Sequence, residues 1–204
     1  MNSNLPSWLQ RHINIFDIEQ IHHAFIISGS KGIGKSLLIE SLSEKLLNNK
    51  ISLENNPDFH NLKILDEKKL IGIDQIHELR DKLYESSFLG KNKVAVINEI
   101  EKISIDGLNA ILKILEEPTK NTYFLLSTNF LNQIPLTIQS RCLDLRISSP
   151  DIEQSLEWLS HYQTKDALKA LEITNNLPIK AKYFLDNNLL DARDKFVKDV
   201  SGII

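Results

Sequence analysis

Eight residues near the start of the chain carry the spacing G-x-x-x-x-G-K-[ST] of a phosphate-binding loop. The segment reads Gly29-Ser30-Lys31-Gly32-Ile33-Gly34-Lys35-Ser36. Glycines permit the tight turn that points successive backbone N–H groups at phosphate oxygens. Lys35 would supply positive charge to the β/γ-phosphates, and the Ser36 hydroxyl is placed to bind Mg²⁺. The segment predicts a nucleotide site. The alternative is an ordinary glycine-rich turn between a strand and a helix.

A second candidate for phosphate chemistry is the pair Asn98-Glu99, which ends the apolar run 93–97. In phosphate-loop enzymes such a strand ends in two acidic residues, the first holding Mg²⁺ and the second polarising the attacking water. Asn98 resembles a carboxylate in shape but lacks the charge that a divalent ion prefers. We therefore expect weak metal binding and weak or absent hydrolysis, with Glu99 as the candidate base. The alternative is an ordinary pair at a strand end.

Two more polar residues stand where they can reach a phosphate. Asn129 follows the apolar run 122–128 and is placed to contact a γ-phosphate or a water molecule. Arg141 lies on a short turn before the last apolar run, where an arginine can reach the phosphate of a neighbouring subunit. The alternatives are an asparagine bonded within the protein and a solvated or ion-paired surface arginine.

The elements that must position these residues follow from the hydrophobic pattern. Five apolar runs predict buried parallel strands at about 24–28, 62–66, 93–98, 122–128 and 142–147. Helical spacing of apolar residues separates most of them, which predicts a parallel sheet with helices on both faces. The loop 48–61 is polar, and we expect it to be exposed.

Beyond Ser148-Ser149-Pro150 the chain has helical patterns only, near 151–160, 164–175, 178–187 and 190–200. We therefore expect an α/β nucleotide-binding domain over residues 1–148 and a small all-helical lid, whole or in part, over 149–204.

Composition restricts the function further. The chain has 204 residues, with 24 Lys and Arg against 27 Asp and Glu, a net charge of -3. This charge excludes nucleic-acid binding by a global basic field. Cys142 is the only cysteine, which excludes an internal disulfide and a cysteine-based zinc site. The apolar runs are too short to span a membrane, and residues 1–4 lack a signal-peptide pattern, so we expect a cytoplasmic protein.

Taken together, these segments resemble the clamp-loader branch of the AAA+ ATPases, the subunits of bacterial DNA polymerase III. The match covers residues 5–150 and the helical lid more weakly. It rests on the phosphate loop with the strand before it, on 56–59, 71–76 and 93–97, and on two specific signatures, Leu112-Lys113-Ile114-Leu115-Glu116-Glu117-Pro118 and Ser140-Arg141-Cys142.

The resemblance implies a P-loop AAA+ fold, with a five-stranded parallel sheet, flanking helices and a helical lid. It implies ATP or ADP with Mg²⁺ as ligand, no zinc, and gamma/tau and delta subunits as partners. Contact with the sliding clamp would be indirect, and contact with primed DNA would run through the complex. Arg141 would act in trans as an arginine finger on a neighbour's ATP. Asn129 occupies a sensor position for the γ-phosphate, and Lys180 stands where a second sensor is usually arginine.

Three departures from the family pattern qualify this expectation. The zinc-binding cysteines are absent, the acidic metal residue is Asn98, and the sequence stops at Ile204, before a helical collar domain. We therefore expect a short-form subunit of a DNA-directed DNA polymerase holoenzyme whose own ATPase is weak or absent. The alternatives are an autonomous ATPase of the gamma/tau type and a reduced paralogue outside the loader.

Overall fold

The protein is described by a computed structural model for residues 5–14, 22–66, 68–89 and 91–201. Within these residues, five strands form one sheet: β1 Ala24–Ser28, β2 Phe59–Leu62, β3 Lys93–Ile97, β4 Thr122–Thr128 and β5 Leu143–Arg146. Their order is β2-β3-β4-β1-β5, and every neighbouring pair is parallel. The sheet confirms the fold class that the sequence predicts.

Helices cover both faces of this sheet and then continue alone. They are α1 Ser7–Ile13, α2 Lys35–Leu47, α3 Ile73–Tyr84, α4 Ile105–Glu116, α5 Leu136–Gln139, α6 Ile152–Trp158, α7 Thr164–Ile173, α8 Pro178–Asp186 and α9 Leu189–Ser201. Helices α3 and α4 bury apolar residues on one face, and α1 and α2 do so on the other. No helix in the described part of the chain is long and apolar enough to cross a membrane.

The second strand lies earlier than the sequence pattern indicated. We predicted it at 62–66, whereas β2 spans Phe59–Leu62 and pairs with β3 from Phe59 opposite Val94 to Leu62 opposite Ile97. The reason is its place at the edge of the sheet, where a strand needs no continuous apolar run. His60 is half-buried and Asn61 is exposed in consequence.

The expectation of an exposed loop at 48–61 is also wrong in part. Asn56 and Asp58 are 4% and 2% exposed. The Asp58 carboxylate accepts hydrogen bonds from the Ser87 hydroxyl at 2.9 Å and from the backbone N–H groups of Phe88 and Leu89 at 2.9 and 3.0 Å. These three hydrogen bonds connect the loop to the segment before β3. Polar residues of the loop are therefore buried, because their hydrogen-bonding groups are satisfied within the protein.

Helix α1 was not recognised from the sequence. Trp8 and Leu9 are buried among residues of β1 and α2, and the Trp8 indole N–H donates to the backbone oxygen of Ile33 at 3.0 Å. The Trp8 ring also meets Trp158 of α6 edge to face, with 6.0 Å between centroids. Helix α1 therefore connects the phosphate loop to the C-terminal helices.

The C-terminal helices form a small core of their own. Its buried members are Leu159, Ala167, Ala170, Leu171, Ala181 and Leu190. Small alanines allow α7 and α8 to pack closely, because they occupy little space between the helix backbones. This packing places the start of α8 beside the phosphate loop.

Candidate nucleotide-binding site

The phosphate loop connects β1 to α2 and ends at the first residue of that helix. Gly32 and Gly34 have φ values of +90° and +111°, a region in which other residues are strained. Helix α2 begins at Lys35, so its free backbone N–H groups and the positive end of its dipole lie at the loop. This is the local geometry that binds phosphate.

A cavity of about 770 Å³ opens beside the loop. Its wall comes from the loop and α2, from the ends of β3 and β4, and from α8. The lining residues are Lys31, Gly32, Gly34, Lys35, Ser36, Leu37, Asn98, Glu99, Ser127, Asn129, Ile179, Lys180, Tyr183 and Phe184. The volume is suited to a small-molecule ligand. The fold thus brings Asn98, Glu99, Asn129 and Lys180 to the phosphate loop.

Lys35 makes three hydrogen bonds through its ammonium group. They run to the backbone oxygens of Gly29 at 2.8 Å and Ser30 at 3.0 Å, and to Oδ1 of Asn129 at 2.8 Å. An ammonium group has three N–H donors, so all of them are used within the protein. Burial lowers the pKa of Lys35, and the negative charges of Glu101 and Glu99 oppose that change.

Asn129 is held by two carboxylates at the end of β4. Its backbone N–H donates to Oε1 of Glu101 at 3.1 Å, and its side-chain Nδ2 donates to the same oxygen at 3.2 Å and to Oε1 of Glu99 at 3.3 Å. Glu101 was not predicted as a site residue. The only signal for it was a further acidic residue two positions after Glu99, on the turn Ile100–Lys102.

Glu99 lines the cavity but is engaged elsewhere. Its Oε2 lies 2.6 Å from Nζ of Lys102. The hydrogen bond from Lys102 is the largest cause that lowers the pKa of Glu99. A carboxylate with a depressed pKa accepts a proton poorly, so this arrangement does not favour Glu99 as a general base. Its backbone is also left-handed, with φ 54° and ψ 60°.

Asn98 belongs to a neutral network. Its Nδ2 donates to Oδ1 of Asn61 at 3.1 Å, and its Oδ1 accepts from the Ser127 hydroxyl at 3.4 Å. No group of three or more His, Cys, Asp or Glu side chains in the described ranges is arranged to hold a metal ion. A divalent ion at this site would therefore depend on the exposed Ser36 hydroxyl, on water and on the phosphates themselves.

Arg141 lies outside this cavity, on the turn between α5 and β5. Its Nη2 is 2.5 Å from Oε1 of Glu116, and its Nη1 donates to the backbone oxygen of Thr137 at 2.7 Å. The two charged side chains are 33% and 41% exposed. An exposed pair of this kind contributes on the order of 0–1 kcal/mol, so Arg141 is released from Glu116 at little cost.

The chain is similar in sequence to subunits of DNA polymerase III. The family model described as "DNA polymerase III, delta subunit" matches residues 5–151. The chain is 32% identical to DNA polymerase III subunit delta' of Buchnera aphidicola subsp. Schizaphis graminum over 94% of its length. It is 29% identical to subunit delta' of Haemophilus influenzae over 90%, and 32% identical to subunit gamma of the same Buchnera over 74%. The chain spans 64%, 61% and 45% of these three relatives.

Solved structures are similar in fold. A DNA polymerase III gamma subunit-related protein from Thermotoga maritima matches with a TM-score of 0.59 and 23% identity, covering 82% of this chain and 58% of that one. RuvB from the same organism matches with a TM-score of 0.59 and 15% identity, covering 89% of this chain and 59% of that one. At these identities the comparison supports the fold alone.

Proposed function

The chain belongs to the DNA polymerase III delta-subunit family, and on that premise we propose that it is a clamp-loader subunit that binds a nucleotide and lends Arg141 to a neighbouring ATPase subunit. Within the clamp loaders its sequence resembles the delta-prime subunits. That resemblance is confirmed by the curated delta' relatives at about 30% identity over most of the chain. Membership of the family does not include clamp loading or the arginine finger, and we propose both for this chain.

Nucleotide binding is supported by the side chains that line the cavity beside the phosphate loop, which include both cationic and aromatic groups. Lys31, Lys35 and Lys180 bring positive charge to the loop end, where α2 begins. The apolar side of the cavity carries Tyr183 and Phe184 of α8. When bound, Mg²⁺ would neutralise phosphate charge, and the Ser36 hydroxyl is the protein group positioned to ligate it. ATP or ADP is the ligand class that these residues suit.

Hydrolysis by this chain alone is expected to be slow, for two physical reasons. Asn98 offers a neutral amide where a metal ion favours a carboxylate. Glu99 is paired with Lys102, which stabilises its charged form and weakens it as a base. We therefore propose that the bound nucleotide makes this subunit more rigid and is not hydrolysed by it.

The observation that carries the proposed finger is the position of Arg141. It lies outside the chain's own cavity, on the turn between α5 and β5, and its guanidinium is held by a surface ion pair to Glu116 and by hydrogen bonds to Thr137 and Ser140 of the same turn. Arginine presents a planar fork of donors that matches phosphate oxygens, and a finger supplied in trans raises phosphoryl-transfer rates by about 10³ or more. The proposed partners are gamma/tau and delta subunits, with the clamp and primed DNA reached through the complex, in the cytoplasm.

The test is ATP turnover by the complex assembled from this chain, cognate gamma/tau and delta subunits, clamp and primed DNA. Arg141→Ala should reduce turnover at least tenfold while leaving nucleotide affinity of the isolated chain unchanged. Arg80→Ala is the matched control, because Arg80 is also an exposed arginine with one acidic partner, Asp81. An equal loss of turnover and of the chain's own nucleotide affinity would contradict the finger assignment.

A second candidate is an autonomous ATPase of the gamma/tau type, favoured by the complete phosphate loop and by the similarity to subunit gamma of Buchnera. It predicts ATP turnover by the isolated chain at a rate typical of an enzyme. A chain that neither turns over ATP alone nor stimulates the assembled complex would instead be a reduced paralogue outside the loader.

A further inference from the structure

Glu101 contacts Asn129, the residue whose side-chain oxygen accepts a hydrogen bond from Lys35 of the phosphate loop. It lies on the turn Ile100–Lys102 after β3, and its Oε1 accepts both the backbone N–H and the side-chain Nδ2 of Asn129. Its other oxygen, Oε2, is buried and has no hydrogen-bond partner in the described part of the chain. No described cation lies within ion-pair distance of Glu101, whereas Glu99 is paired with Lys102. Glu101 therefore carries the less compensated of the two negative charges at this end of the cavity.

The contacts of Asn129 have a direct consequence for ligand choice. Its amide has two N–H donors, which point to Glu99 at 3.3 Å and to Glu101 at 3.2 Å. Its oxygen faces Lys35 at 2.8 Å. A γ-phosphate presents acceptor oxygens and needs donors, but in this arrangement Asn129 has none left to offer. The amide is oriented for contact with Lys35 and not for reading a third phosphate.

Electrostatics acts in the same direction. A triphosphate adds about one negative charge to a diphosphate, and Asn129, at the end of β4, is the residue expected from the sequence to lie beside that charge. There it would meet the poorly compensated carboxylate of Glu101. The same carboxylate supports Lys35, since its charge is the largest of those that oppose the effect of burial on the pKa of Lys35. The phosphates shared by both ligands benefit from that support.

We propose that Glu101 is a positioning residue that makes this site favour a nucleoside diphosphate over a triphosphate by holding Asn129 against Lys35. The proposal rests on the nucleotide binding proposed above and names the ligand class that the site prefers. It also suits a subunit that binds nucleotide without turning it over.

The experiment compares dissociation constants for ATP and ADP, each with Mg²⁺, by isothermal titration calorimetry on the full chain. The wild type should have a ratio of Kd(ATP) to Kd(ADP) above one, and Glu101→Gln should lower that ratio on the order of tenfold. Glutamine keeps the shape and one acceptor oxygen but removes the charge. Glu40→Gln is the matched control, because Glu40 is an exposed glutamate on α2 and its loss should leave the ratio unchanged.

A merely structural role for Glu101 would weaken both ligands by one factor and leave the ratio unaltered, which would overturn the inference. Lys102→Met provides a second arm that leaves Glu101 in place. It removes the cation that compensates Glu99, so the ratio should rise, and a fall would also overturn the inference. If the wild type binds neither nucleotide, the proposed nucleotide site fails together with this inference. If it binds both and the variants leave the ratio unchanged, only this inference fails.

Discussion

A Cβ atom added to Gly32 would lie 2.8 Å from the Cβ atom of Lys180, so the phosphate loop and helix α8 are in direct contact. Real Cβ atoms do not approach so closely, and therefore only glycine fits at position 32 while α8 stays in place. The helical segment is part of the cavity wall, which couples its packing to the conformation of the loop. Nucleotide affinity and the stability of this contact are accordingly expected to change together.

Gly32→Ala should test this coupling. The new methyl group meets Lys180, and φ of +90° is strained for alanine, so we expect a loss of about 2 kcal/mol in the free energy of unfolding and weaker nucleotide binding. Urea denaturation measures the first and calorimetry the second. Gly72→Ala is the control, because a Cβ there has nothing within 4 Å and should cost less than about 1 kcal/mol. Equal losses in the two variants would contradict the contact.

The two tryptophans offer a matched comparison of buried hydrogen bonding. Trp8→Phe leaves the backbone oxygen of Ile33 without its donor, which should cost about 1–3 kcal/mol of unfolding free energy beyond the lost apolar area. Trp158→Phe removes an indole N–H that has no partner in the described part of the chain, so it should cost less. Thermal or chemical unfolding of both variants measures the difference. A costlier Trp158→Phe would show that the Trp8 hydrogen bond contributes little.

Asn98→Asp should restore the charge that a divalent ion prefers. We expect Mg²⁺-dependent ATP affinity to rise on the order of tenfold, because a carboxylate then lies in the cavity wall beside Ser127 and the Asn61 amide can turn to donate to it. Calorimetry with and without EDTA measures the change, and a gain that survives EDTA would refute the metal explanation. Turnover should rise clearly only when Lys102→Met also frees Glu99 from its ion pair.

His60 should make stability depend on pH. Burial lowers its pKa, and the nearby charges of Lys82 and Lys93 lower it further, while Asp58 and Glu85 oppose the change. The unfolded chain then binds a proton near pH 6.5 that the folded chain resists. The contribution of neutral His60 is complete above about pH 6.5 and is lost as the pH falls below that value toward the lower folded-state pKa.

Unfolding free energies at pH 7.5 and 5.5 measure this effect. The wild type should lose more stability between the two than His60→Gln, whereas a variant of the exposed His77 should follow the wild type. Burial also lowers the pKa of His12 and of His23. The dependence of the unfolding free energy on pH should therefore be reduced in His60→Gln and not abolished. If the unfolding free energy of His60→Gln depended on pH as strongly as that of the wild type, the effect would not come from His60.

Much of the fold was predictable because its signals are local. Apolar runs mark β1, β3 and β4, since interior parallel strands are buried on both faces. Strand β5 was also predicted from its sequence, although it lies at an edge of the sheet and is mostly exposed. The edge strand β2 and the short helix α1 gave no such signal. A polar edge strand is specified by its pairing with β3, and α1 is held by contacts of Trp8 with residues distant in sequence. The division into domains at residue 148 remains a prediction.

The sequence by itself determined the phosphate loop, the parallel sheet and the replacement of an acidic metal ligand by Asn98, because each depends on residue type and short-range spacing. Only the tertiary structure decided which groups meet there. Strand β4 lies beside β1, and this brings Asn129 to Lys35 across 94 positions of sequence. The turn after β3 then places Glu101 behind Asn129 and pairs Glu99 with Lys102. Strand order and side-chain orientation are set by packing of the whole chain, which no local pattern encodes.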